Sequence, residues 1–85
     1  METLLQKAIA SGEFTIGSAR ELAATDWRSW VNQLAGDAKK TAEDLFYFVE
    51  GYVEETDEGF MDEPNDPELF ERTVSLLDQL QRPPA

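Results

Sequence analysis

Eighteen carboxylates, with no histidine and no cysteine, define the chemistry open to this chain. Histidine is the commonest general base and metal ligand, and cysteine the strongest side-chain nucleophile, so both routes are closed. What remains is carboxylate chemistry, either cation binding or acid–base work. The stretch Glu54–Asn65 puts Gly59 where a calcium-binding loop needs its glycine. The other positions fail, because Glu54 stands first, Pro64 eleventh, and Asn65 where a bidentate glutamate must close the loop. A pair of catalytic carboxylates needs a substrate cleft, for which 85 residues leave little room. There is no glycine-rich phosphate loop and no serine-nucleophile motif. These absences predict a protein that is not an enzyme, uses no cofactor or metal, and acts by binding.

The carboxylates are not evenly spread. Twelve lie between Thr41 and Glu71, a stretch without lysine or arginine. The other six acids and all seven basic residues fall outside it, so the block carries the whole imbalance behind the net charge of −11. Such a field repels nucleic acid and anionic membranes and steers basic partners toward itself. Within the block, Glu43, Tyr47, Glu50 and Glu54 are spaced four, three and four apart, which lines them along one helix face. Like charges at that spacing destabilise a helix by a few tenths of a kcal/mol per pair. A solvated face with an incidental tyrosine is the plain reading of such a row. A partner that supplies positive charge is the functional one, with Tyr47 giving packing and the acids giving orientation and association rate.

Helices are the elements that must position these groups. The first is expected over about 2–10, with Leu4, Leu5, Ala8 and Ile9 on one face and Ser11-Gly12 as its stop. Phe14 and Ile16 follow as plugs between helices. A second helix starts at Thr15 or, by the capping box Ser18-Ala19-Arg20-Glu21, at Ser18, and runs to Gly36. Leu22, Ala23, Trp27, Trp30, Val31 and Leu34 form its apolar stripe, and at least one tryptophan is expected in the core. Asp37 or Thr41 caps a third helix over about 38–56, whose buried face holds Leu45, Val49, Tyr52 and Val53 with Phe46 at its edge. Gly51 weakens the interior of that helix by roughly 1 kcal/mol. Residues 57–65 read as a loop anchored by Phe60 and Met61. Asp66 caps a last helix with Pro67 first in it, and Leu69, Phe70, Thr73, Val74, Leu77 and Leu80 as its stripe.

The expected fold is all-α, a compact antiparallel four-helix bundle forming a single domain over residues 1–82, with a frayed tail at 83–85. Its core is predicted to hold Leu5, Ile9, Leu22, Trp30, Leu45, Val49, Tyr52, Val74 and Leu77. The N-terminus lacks the basic and apolar regions of a signal peptide, and no stretch approaches the roughly 18 apolar residues of a membrane span. A cytoplasmic protein, monomeric before it meets its partner, is the expectation.

With these elements in place, the chain resembles the colicin D-type bacterial immunity proteins. Three segments carry the likeness: Leu4-Leu5-Gln6-Lys7-Ala8-Ile9-Ala10-Ser11-Gly12-Glu13-Phe14-Thr15; Glu43-Asp44-Leu45-Phe46-Tyr47-Phe48-Val49-Glu50-Gly51-Tyr52; and Asp62-Glu63-Pro64-Asn65-Asp66-Pro67-Glu68-Leu69 with Val74 and Leu77. Members of that family are small acidic four-helix proteins that neutralise a tRNA-cleaving toxin. The resemblance implies that acidic side chains cover the toxin's active site in place of substrate phosphates. The matching positions are Glu50, Glu54, Glu55, Asp57, Glu58, Asp62 and Glu63. With Glu43 and Tyr47 from the helix-face argument, these make up the expected partner-binding set, and the partner would be a basic nuclease toxin domain. Two other readings share the size and sign: a phage-encoded nucleic-acid mimic, such as an anti-CRISPR protein or an inhibitor of a DNA-binding enzyme, and a small structural adaptor.

Overall fold

A computed structural model describes residues 1–59 and 64–82. Five helices are present among them: α1 (Glu2–Ile9), α2 (Ile16–Ala23), α3 (Trp27–Asn32), α4 (Gly36–Asp57) and α5 (Pro67–Gln81). No strand occurs among the described residues; Thr15 and Asn65 form one isolated antiparallel bridge. The Cα radius of gyration, 12.5 Å, is close to the roughly 12 Å expected of a compact chain of this length.

Five helices replace the expected four because the second is broken at Ala24–Asp26. The last amide of α2 turns back to Arg20, and the Thr25 hydroxyl donates to the Leu22 carbonyl at 2.6 Å. That bond satisfies a helix-end carbonyl with a side chain and stops propagation. Asp26 then stands at the N-cap position of α3. Threonine followed by aspartate is a start signal in its own right, and the continuous apolar stripe on either side hid it.

The start of α2 also differs from the capping-box expectation. Thr15, not Ser18, is the N-cap, and its hydroxyl accepts from the Ser18 amide at 3.2 Å. Its neighbours explain the choice. The Asp66 amide donates to the Phe14 carbonyl at 2.9 Å, and the Ile16 amide to the Pro64 carbonyl at 3.3 Å. This pairing fixes Thr15 in extended geometry, ready to cap. At the other end of the same pairing Asp66 caps α5, its carboxylate accepting from the Leu69 amide at 3.1 Å, with Pro67 first in the helix as expected. Gly36 does not end a helix. It opens α4 at a φ of +63°, a conformation only glycine adopts without strain, and Asp37 lies in the first turn while Thr41 lies inside the helix. Gly12, at φ +88°, closes α1 as its sequence implied.

The core lies where α4 packs against α2, α3 and α5, with α1 set against α2 and α5. Leu5, Leu22, Leu45, Val49, Tyr52 and Leu77 are buried as predicted. Ile9 and Trp30 are only half-buried against that core, and Val74 is 42% exposed. The buried face of α5 holds Leu69, Thr73, Leu76 and Leu77, with Leu80 half-buried beside them, which leaves Val74 outside and brings in Leu76. Thr73 is fully buried and its hydroxyl donates to the Leu69 carbonyl at 2.8 Å, so it carries no unmet bond into the core. Phe14 is buried as a plug. Phe46 is no edge residue but fully buried, with Trp27 stacked on it at 5.0 Å and Trp30 edge-on at 6.2 Å. No helix among the described residues is long and apolar enough to cross a membrane.

Candidate functional site

Helix α4 is 22 residues long, about 33 Å, and it buries one side only. Ala42, Leu45, Phe46, Val49 and Tyr52 face the core, so helical periodicity turns Glu43, Asp44, Tyr47, Phe48, Gly51, Glu54, Glu55 and Glu58 outward. Among these, Tyr47 is 73% exposed and Phe48 43% exposed, their rings edge-on at 5.5 Å. An aromatic pair therefore stands in water, with carboxylates one turn before it and one to two turns after it. A groove of about 880 Å³ borders this face, its lining including Tyr47, Phe48, Glu54, Glu55, Glu58 and Glu68.

Most of the partner-binding set is brought together here. Glu43, Tyr47, Glu50, Glu54, Glu55 and Glu58 all line the groove. Asp57 does not line it; it is turned toward α2 and takes a hydrogen bond from Arg20. Asp62 and Glu63, with the expected anchors Phe60 and Met61, lie outside the described residues, as does the tail at 83–85.

The acidic row is less one-signed in space than in sequence. Arg28 of α3 bonds Glu50 at 3.1 Å and stands 4.4 Å from the centre of the Trp27 ring. Arg72 of α5 bonds Glu68 at 2.9 Å and stands 4.4 Å from the centre of the Phe48 ring. With Arg20 on Asp57, three arginines from outside the block reach three of its acids. Glu43, Glu54, Glu55 and Glu58 make no ion pair among the described residues. Three of these four lie in the last turn of α4 or at its cap, where the helix dipole is itself negative and no basic residue of the helix offsets it. Phe48 and the three arginines were absent from the expected set. Phe48 was legible, since it follows Tyr47 and falls off the apolar stripe. The Glu68–Arg72 pair was legible too, being four apart on one helix; Arg20 and Arg28 were not, because only the packing of α2 and α3 brings them to α4.

The Arg20 bond holds the Asp57 carboxyl below the usual carboxylate range; desolvation opposes the shift, and the positive charge of the same guanidinium adds to it. A carboxyl depressed in the folded state stabilises the fold fully above its unfolded pKa of about 4. The contribution is lost as pH falls through the lower folded value. Thermal melts should therefore show a gap between the parent and Asp57→Asn that is constant above about pH 5 and closes at more acid pH. Both groups are half-exposed, so added salt should narrow the gap as well. A gap that widens toward acid pH would contradict this assignment.

The arrangement can grip a cationic surface, the aromatic pair supplying contact area and the carboxylates orientation. Compared with family models, curated proteins and solved structures, the chain matches none.

Proposed function

We propose that the protein is an immunity protein that binds a basic nuclease toxin domain, one that cleaves tRNA, and covers its active-site cleft with the acidic outer face of α4. The observation that carries this reading is the exposed Tyr47–Phe48 pair set among carboxylates, of which Glu43, Glu54, Glu55 and Glu58 make no ion pair among the described residues. A helix arranged for stability alone would place basic residues, not Glu54, Glu55 and Glu58, in its last turn. Acids in that place, next to aromatic anchors, are the composition of a surface that meets a cationic partner. The likeness to colicin D-type immunity proteins points the same way. The inhibitor acts as a monomer in the cytoplasm, binds protein and not nucleic acid or membrane, and performs no catalysis.

The test is binding to, and suppression of tRNA cleavage by, the basic nuclease domain encoded beside it. Tyr47→Ala removes packing and no charge, and should cost about 2 kcal/mol or more, roughly 30-fold in affinity, mainly through faster dissociation. Single reversals Glu54→Lys and Glu58→Lys should each weaken the complex, whereas Glu2→Lys and Glu13→Lys, outside the block, should not. Parent-like inhibition by all three α4 variants would remove α4 from the interface.

A further inference from the structure

The proposed interface contains a narrower site, and the fold itself supplies the pattern for it. Around α4 an arginine, an aromatic ring and a carboxylate meet twice. Arg28 lies over Trp27 and bonds Glu50; Arg72 lies over Phe48 and bonds Glu68. In each, the guanidinium is held by its charge against the ring face and by hydrogen bonds to the acid, a combination that a planar guanidinium meets better than an ammonium. The most exposed aromatic residue on the same face is Tyr47, and no arginine of the described residues lies over its ring. Glu43 precedes it by one turn and Glu54 follows by two, neither of them ion-paired among the described residues.

Gly51 lies one turn after Tyr47 on that face and opens onto the groove. A Cβ built there would meet nothing within 4 Å, so no neighbouring group requires glycine at this position. Its cost to the helix interior, roughly that of any glycine in place of alanine, leaves a gap between the Tyr47 ring and the carboxylates of the last turn.

We infer that the outward face of Tyr47, with Glu43 and Glu54 on either side and the gap at Gly51 beside it, receives an arginine side chain of the bound partner. This rests on the reading of α4 as the partner-binding face, and adds that the face selects arginine over lysine at this one point. Charge alone makes no such selection, since both residues carry +1; the ring and the fork of donors make it.

Titration calorimetry at low ionic strength with hexaarginine amide and hexalysine amide, equal in charge, separates the two claims. The parent should bind hexaarginine at least about fivefold more tightly than hexalysine. Tyr47→Leu, which keeps bulk but not the ring, should bring that ratio close to one while changing hexalysine affinity less than about twofold. Tyr47→Phe should retain the ratio, and Gly51→Leu, which fills the gap, should lower it. Glu58→Lys, on the same face but outside the arginine site, should weaken both peptides alike. If Glu58→Lys weakens both but the ratio survives Tyr47→Leu, or if the parent does not discriminate, the arginine site is wrong and the acidic face stands. If Glu58→Lys leaves both peptides unaffected, the face and the site fall together. Circular dichroism of each variant, expected to match the parent because these side chains are at the surface, excludes unfolding as the cause.

Discussion

Replacing Phe46 by alanine should cost about 3–5 kcal/mol, the largest loss expected of any single truncation in this chain. The ring is fully buried, stacked against Trp27 and edge-on to Trp30, so its removal opens a cavity at the junction of α3 and α4. Small domains have only about 5–15 kcal/mol of stability in total, and a kcal/mol moves the melting temperature of a domain this size by about 4–8 °C. A fall on the order of 20 °C is expected, with a change in tryptophan emission as Trp27 loses its neighbour. One position along, Tyr47→Ala should shift the melt by no more than about 0.5 kcal/mol, since that ring stands in water. On the proposed function, two aromatic residues adjacent in sequence thus divide, one holding the fold and the other free to meet a partner. Similar melting of the two variants would show that Phe46 is not where the fold depends on it.

The second large effect concerns charge, and its sign differs between the free protein and the complex. Glu54 and Glu58 are four apart at the negative end of the α4 dipole, an arrangement unfavourable both as a like-charge pair and as acids at a helix C-terminus. Replacing both by lysine reverses the dipole effect, at about 0.3–1 kcal/mol for each residue, while the like-charge pair persists with the opposite sign. The melting temperature of Glu54→Lys/Glu58→Lys should therefore rise by several degrees. Its association with the basic nuclease domain should fall by about a hundredfold at low salt, because electrostatic steering contributes on the order of 10–1000-fold to such rates. The difference from the parent should shrink as salt rises. Stopped-flow association and a thermal melt of one variant test both halves. A variant that is destabilised, or that associates at the parent rate, would show that the acids are held for some local reason and not for a partner.

How much of this was legible in the sequence varies with the kind of interaction. Helices α1, α4 and α5 follow from local signals, such as Gly12, the Asp66-Pro67 start and the long apolar period of α4, and these act within a turn or two. The break between α2 and α3 was missed because the apolar stripe continues through it, while the decisive hydrogen bond, Thr25 to Leu22, depends on the local backbone path. Thr15 rather than Ser18 caps α2 because residue 14 pairs with residue 66, a contact no local pattern reveals. On α5 the sequence offered an apolar stripe that included Val74, and only packing leaves that residue outside. The acidic face was the most legible part of the candidate site, being a matter of spacing along one helix. Arg20 and Arg28, which neutralise Asp57 and Glu50, were hidden, since each comes from another helix, whereas Glu68 and Arg72 pair four apart on α5.

The paired segments near Thr15 and Asn65 bear on how force is carried when a partner is held. Any pull on the last turn of α4 passes along the chain to Pro64 and Asp66, which are bonded to Ile16 and Phe14 about fifty positions earlier. The chain is fastened there to the starts of two helices at once, with Thr15 and Asp66 capping them side by side. Fraying from the end of α4 therefore meets a clasp a few residues on, and the load is shared between α2 and α5. On the proposed function, a partner pulling on the last turn of α4 would have to open that clasp before the load reached α2 and α5 separately.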